Sequence, residues 1–362
     1  MRVYLDNNST TMVDPQVKEA MDPFICEMYG DAHALHGYAR ESKQPLQDAM
    51  ERIYATLNAS HDDSIVITSG ATESNNWVLM SIYFEYILTG QKNHILLSEV
   101  EHPSILATAK FIESKGVRVT YLPVNSEGII EAHTVRDFIT PKTALVSIMW
   151  ANHESGAIFP IEDIAYVCEQ KRVLFHTDAT QAIGKLPISI KDTSIDFLSF
   201  SAHTFHGPKG VGGLYMRKDK ELSPLMRGGG EMDGYRSGTL NVPSIVGMGK
   251  AMELAFDAMG FEMEDARELR DAFEEALLEI PKSAVVTPKE KRTPNTLLIA
   301  FEGLHSEAIL WDLNQAGVAA KTNAEKSAIQ FALSRFTTEK EIEYTIEVVK
   351  KAVERLRGVS GL

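Results

Sequence analysis

A doubly wound α/β fold with a mostly parallel sheet, joined to a smaller α+β C-terminal unit, is the architecture this 362-residue sequence predicts. Three observations predict it. Short apolar runs bounded by turn residues alternate with stretches of helical period from about residue 16 to residue 255. Most of those runs have continuous apolar centres, as in strands buried on both faces and separated by helices. After the glycine-rich Arg227-Gly-Gly-Gly230 the pattern changes to long charged helices with a single strong strand between them.

In chain order, the strand signals are Ser64-Ile-Val-Ile-Thr68, His94-Ile-Leu-Leu-Ser98, Arg118-Val-Thr-Tyr-Leu122, Thr143 to Met149, Arg172-Val-Leu-Phe-His176 and Phe197-Leu-Ser-Phe200. Helices fit between them, over Ser74 to Leu88 and Pro103 to Lys115 for example. A long charged helix is predicted from about Val242 to Leu278. A strand at Asn295 to Ala300, a helix over Ser306 to Ala316 and a closing helix over Thr338 to Leu356 follow it. The expected division is a large domain at 16–255 and a small domain made of 1–15 plus 256–362.

Composition narrows the function classes. With 44% hydrophobic and 24% charged residues, the chain can bury a sizeable core. The net charge of −14 argues against a phosphate-backbone footprint, so no nucleic-acid partner is expected. No run of about 18 apolar residues exists, and Met1-Arg-Val-Tyr-Leu-Asp6 leads into a polar turn, so a cytoplasmic protein without membrane contact is expected. The two cysteines, Cys26 and Cys168, fall in helical-period segments and read as small buried hydrophobes. His33/His36 and His203/His206 have spacing that metals use, but no third ligand converges with them in sequence, so no metal is expected.

Several strand ends carry chemistry-bearing residues. Thr68-Ser-Gly-Ala-Thr-Glu-Ser-Asn75 sits where a strand turns into a helix, so the amides of Gly70, Ala71 and Thr72 form an anion site or a plain helix cap. Glu101-His102-Pro103 follows the next strand at the carboxyl edge, where open α/β sheets bind ligands. Phe175-His-Thr-Asp178 ends in an acid that either reaches a ligand or caps the next helix, and Ser201-Ala-His203 closes a further strand ahead of Gly207 and Gly210.

In this order the pieces resemble the NifS/IscS cysteine desulfurases of the class V aminotransferase family, pyridoxal-phosphate (PLP) enzymes of fold type I, over nearly the whole chain. The matching segments are Tyr4-Leu-Asp-Asn-Asn8, Ser69 to Ser74, Glu101-His102-Pro103, His176 to Gln181, Gly207-Pro-Lys-Gly210, Arg236 to Asn241 and Leu333-Ser-Arg-Phe336. The resemblance implies a phosphate cup on Ala71, Thr72, Ser201 and His203, with Thr239 reaching in from a partner subunit. It implies that His102 stacks on the pyridine ring, Asp178 protonates its nitrogen, Gln181 bonds its hydroxyl and Arg335 clamps the substrate carboxylate.

Four departures bear on activity. The Schiff-base lysine position holds Thr204, whose hydroxyl cannot form an imine. The segment carrying the family's persulfide cysteine is absent: Gly317-Val-Ala-Ala320 runs directly into Lys321-Thr-Asn-Ala-Glu-Lys-Ser327. His153 replaces an amide expected to bond PLP, and Asp31-Ala32 replaces an Asn-Pro motif near the substrate carboxylate, where a second carboxylate repels. Lys209 matches the family's own Gly-Pro-Lys-Gly lysine and is a weak substitute for the missing one; Lys321 reads as solvated surface.

The implied function is therefore a degenerate desulfurase homologue, binding PLP noncovalently and acting as a structural or regulatory partner in sulfur or iron–sulfur metabolism. The alternatives are a desulfurase completed by a partner chain, or a different enzyme using His153, His203 or His206 as acid–base groups. The implied partners are a second copy, an active paralogue, an iron–sulfur scaffold or a sulfur acceptor.

Overall fold

The computed structural model describes residues 1–260, 262–324 and 326–360. Phe261, inside the long helix expected from Val242 to Leu278, and Glu325, inside the Lys321–Ser327 run, lie outside the described residues. In chain order the elements are β1 (Val3–Tyr4), α1 (Pro15–Met21), α2 (Pro23–Cys26), α3 (Gly37–Leu57), β2 (Ser64–Thr68), α4 (Ala71–Ile82), β3 (His94–Ser98), α5 (Pro103–Glu113), β4 (Arg118–Leu122) and α6 (Ala132–Phe138). Then come β5 (Thr143–Ser147), α7 (Ile161–Gln170), β6 (Leu174–Asp178), β7 (Phe197–Ser201), β8 (Gly212–Met216), α8 (Val242–Ala258) and α9 (Glu262–Leu278). The chain closes with β9 (Ser283–Val285), β10 (Thr296–Phe301), α10 (Ser306–Gln315), β11 (Val318–Ala319), β12 (Lys321–Thr322), β13 (Ile329–Ala332) and α11 (Glu339–Ser360).

Local chemistry sets several boundaries. Asp14 caps α1 by accepting the Gln16 amide at 2.7 Å, with Pro15 opening the first turn. His102 does the same for α5 ahead of Pro103, and Asn241 for α8. Asn58 ends α3 in the left-handed conformation, at φ 45° and ψ 45°.

The large sheet has the order β2-β8-β7-β6-β5-β3-β4. Neighbours are parallel except where β8 runs against both β2 and β7, so β2, β3, β5, β6 and β7 all end along one edge. Its strands are buried on both faces except at the edge strand β4, where only Leu122 is buried. Ile65 and Ile67 join one core with α1, α3, α7 and α8 residues, while Val66 joins a second core with Trp77, Val78 and Ile105 of α4 and α5. Helices α3 and α8 approach closely enough that a Cβ on Gly249 would lie 2.8 Å from the Ala49 Cα. A four-stranded antiparallel sheet, β12-β13-β10-β9, packs with α9, α10 and α11 around Phe273, Leu313, Phe331 and Val349. Strand β1 pairs in parallel with β11, and Val3 and Leu5 are buried in that same core.

Three expectations change. The long helix of 242–278 is two helices, α8 ending near Gly260 and α9 beginning at Glu262, since glycine tolerates the break that a helix interior resists. Strand β8 was not predicted because it opens on Gly212-Gly213. Both glycines are required, since a Cβ on Gly212 would meet the Phe200 carbonyl oxygen at 2.2 Å and one on Gly213 the Phe200 ring at 2.3 Å. Cys26 is exposed at the end of α2, whereas Cys168 is buried as expected. Among the described residues, no helix is long and apolar enough to cross a membrane.

Candidate functional site

The turns that follow β2, β3, β5, β6 and β7 converge on a cavity of about 260 Å³ at the carboxyl edge of the large sheet. It brings together Ala71, Thr72, His102, His153, Asp178, Gln181, Ser201 and His203, with Thr204 in its wall. One end is the first turn of α4. Gly70, at φ +148°, lets the chain pass so near β7 that an added Cβ would stand 3.2 Å from Ser201 Oγ. The Ala71 amide donates to that oxygen at 2.7 Å, which leaves the Ser201 hydroxyl proton available beside a positive helix end.

The opposite end is carboxylate. Asp178 Oδ2 accepts from Asn75 Nδ2 at 2.8 Å, and its Oδ1 accepts the Thr180 amide at 3.0 Å. Asn75 Nδ2 also donates to Ser104 Oγ at 2.9 Å, and that oxygen lies 2.8 Å from His102 Nδ1. The Ser104 amide donates to the same Nδ1 at 3.2 Å, which makes Nδ1 the acceptor nitrogen of His102. Asp178 and His102 are thus held by one buried network. The rings of His102 and His153 meet edge to face, centroids 5.3 Å apart.

Burial sets the charge state of this cavity. It lowers His102 and His203, and pushes His153 down to about 4 with help from the nearby His102 and Lys321 charges. Burial also pushes Glu101, beneath the floor, up to about 8 although Ser98 Oγ and the Met149 amide donate to its Oε1. The histidines are therefore neutral near pH 7 and Asp178 is the carboxylate that faces the cavity.

Three buried polar atoms on the wall lack hydrogen-bond partners: His203 Nδ1, His153 Nδ1 and Thr180 Oγ1. Native interiors seldom leave such atoms unpaired, and all three belong to residues that line the cavity. An anion at the α4 end, a flat ring beside His102 and a protonated ring nitrogen at Asp178 match the polar groups that line the cavity. The residues fit a phosphorylated pyridine.

Three of the anticipated residues are not in the cavity. Arg335 pairs with Asp14, and lines a smaller cavity of about 30 Å³ behind Thr204 with Lys185 and His206. Asp31 is exposed beside His33, and Thr239 is exposed. His206, weighed as an acid–base group, lies outside as well; its Nδ1 is 3.0 Å from the Met12 carbonyl and burial pushes it down to about 4. Lys209 donates to the Thr11 carbonyl at 3.1 Å and borders another surface groove. Lys321, anticipated as plain surface, instead lines the cavity.

Lys185 was missed altogether. Its amine is buried against Asn8 Oδ1, at 3.1 Å, and Gln181 Oε1, and burial pushes it down to about 7. Holding that oxygen leaves the Gln181 amide NH₂, which donates to the Asn8 carbonyl at 2.8 Å, as the donor end. The i,i+4 spacing of Gln181 and Lys185 was the available signal.

The sequence profile of the family described as aminotransferase class-V matches residues 3–345. The chain is 40% identical to a cysteine desulfurase of Gluconacetobacter diazotrophicus, covering 99% of this chain and 95% of the relative. It is 38% identical to the cysteine desulfurase NifS of Azotobacter vinelandii, covering 99% and 94%. A solved structure of a NifS-like protein superposes with a TM-score of 0.94 at 36% identity, covering 98% of this chain and all of that one.

Proposed function

This chain belongs to the class V aminotransferase family, and from that premise we propose that it is a cysteine desulfurase-type protein that binds PLP at the sheet edge and takes the sulfur-accepting thiol from another chain. The observation that carries this reading is the cavity itself, which has unpaired polar atoms in its wall and a carboxylate at its end, with a threonine at position 204.

Ala71, Thr72, Ser201 and His203 would hold the phosphate, the first two from the positive end of α4. His102 would lie against the ring, Asp178 would keep its nitrogen protonated, and Gln181, oriented by Lys185, would donate to its hydroxyl. When bound, PLP supplies an aldehyde for amines and an electron-withdrawing ring. His153 would offer its unpaired nitrogen to the ligand. Arg335 would reach a substrate carboxylate only by leaving Asp14, and Asp31 would repel that carboxylate if brought near. We further take 16–255 as the cofactor-holding domain and 1–15 plus 256–362 as the smaller one, in a dimer whose second subunit lends Thr239. An iron–sulfur scaffold or sulfur acceptor is the expected outside partner.

Titration with PLP tests the reading. Saturable binding that weakens roughly tenfold or more in Asp178→Asn and His203→Ala supports it; binding that does not saturate, or that ignores both changes, refutes it. A second reading, a homologue without turnover that serves as a structural or regulatory partner, is favoured by the joint absence of a lysine at 204 and of a thiol-bearing segment between β11 and β12. Mixing with an intact paralogue separates the two: sulfide release above that of the paralogue alone supports the first, and an unchanged rate the second.

A further inference from the structure

The shortened connection after β11 does more than delete a loop. Strand β12 pairs antiparallel with β13, Lys321 opposite Gln330. Gln330 Nε2 donates to the carbonyls of His153 at 2.6 Å and Glu154 at 2.7 Å. Glu154 Oε1 in turn accepts the Ala324 amide at 2.9 Å. These three bonds fix the edge of the small sheet against the loop that carries His153, and they bring Lys321 to the cavity wall beside His102, His153 and Asn8. Lys321 depresses both imidazoles and biases Asp6 electrostatically, as a charge close to them does. It is the lysine among the lining residues of this cavity. Lys185 is tied to two side-chain oxygens and Lys209 to the Thr11 carbonyl, each outside that wall.

We propose that Lys321 provides the covalent capture of the PLP aldehyde that Thr204 cannot, approaching from the small sheet rather than from the end of β7. This rests on the reading of the cavity as a PLP site. The amine attacks through its unprotonated form. Overall, a lysine ammonium and an aldehyde give a protonated C=N link and one water: the carbonyl oxygen leaves with two ammonium protons and the third stays on nitrogen. No oxidant or second reactant is required, and the link fixes the small sheet to the large one through the ligand.

The test is to incubate the protein with PLP, reduce with borohydride, denature, digest and map the phosphopyridoxyl group by mass spectrometry, with a fluorescence titration of PLP binding in parallel. One group per chain on Lys321, suppressed by excess inorganic phosphate, is expected. Lys321→Arg keeps the charge and is expected to lose the adduct while still binding PLP, more weakly by roughly tenfold. Lys321 is exposed at a strand edge, so Lys321→Ala is a second variant free of buried packing and should behave alike. Saturable binding with no adduct, or with the adduct on Lys185 or Lys209, overturns the assignment and leaves the cavity reading intact. Absence of saturable binding overturns both.

Discussion

The Thr204 hydroxyl donates to the Thr180 carbonyl at 2.8 Å and lies 3.1 Å from the Ser201 carbonyl. The side chain at the family's lysine position is thereby folded back onto the backbone, 3% exposed, between the main cavity and the smaller one behind it. Thr204→Lys releases those bonds and places an amine in the wall. Borohydride reduction of that variant with PLP is expected to label residue 204, with no cysteine-dependent sulfide, because no thiol comes with the change. Sulfide from this variant alone would contradict the account of the missing segment.

Asn75 is the hinge of the polar network, giving its amide protons to Asp178 and Ser104. Asn75→Ala strands a buried carboxylate oxygen and loosens His102. It should cost about 1–3 kcal/mol and weaken PLP binding roughly tenfold. Urea unfolding with an unchanged slope, together with a PLP titration, checks both. Loss of stability with full affinity would detach the network from the ligand.

Arg335 and Asp14 are both buried and paired, and Asp14 also caps α1 through its other oxygen. Asp14→Asn keeps the cap and removes the buried charge that pairs with the Arg335 guanidinium. A loss of about 3–5 kcal/mol is expected, read as a lower denaturation midpoint. A loss below about 1 kcal/mol, the range of exposed pairs, would show that the pair is solvated.

Buried groups make stability depend on pH in opposed directions. His153 and His206 are held near 4 against an ordinary 6.5. The unfolded chain therefore binds their protons first, and stability is lost as pH falls from about 6.5 toward 4. Glu101 is held near 8 against an ordinary 4.5. The folded state keeps that proton, and stability is lost as pH rises from about 4.5 through 8. The slope is at most about 1.4 kcal/mol per pH unit for each group. Glu101→Gln, measured by thermal unfolding across this range, should remove the loss that Glu101 contributes, so that the variant gains stability relative to the parent as pH rises from about 4.5 to 8. A constant difference between the two across that window would mean that Glu101 ionises freely.

The strand ends were legible because each combines an apolar run with a turn whose residues have an evident use, as in Gly70-Ala71-Thr72, Asp178 and Ser201-Ala202-His203. Strand β8 was hidden by the two glycines its packing on Phe200 demands. The partnerships that adapt the site were hidden by distance along the chain. Lys185 meets Asn8, Arg335 meets Asp14 and Gln330 meets the His153 carbonyl only after folding. Lys321 reads as surface in sequence because nothing local reveals that the β12–β13 register carries it to the cavity.

The most direct test of the central claim is a cysteine-dependent sulfide assay on the purified chain saturated with PLP, run alone and with a thiol-bearing paralogue or sulfur acceptor. Saturable PLP binding, no sulfide from the chain alone, and sulfide restored by the thiol-bearing chain above its own background are the predicted results. Steady sulfide release by the chain alone would show that a complete desulfurase site exists within it, and would contradict the account.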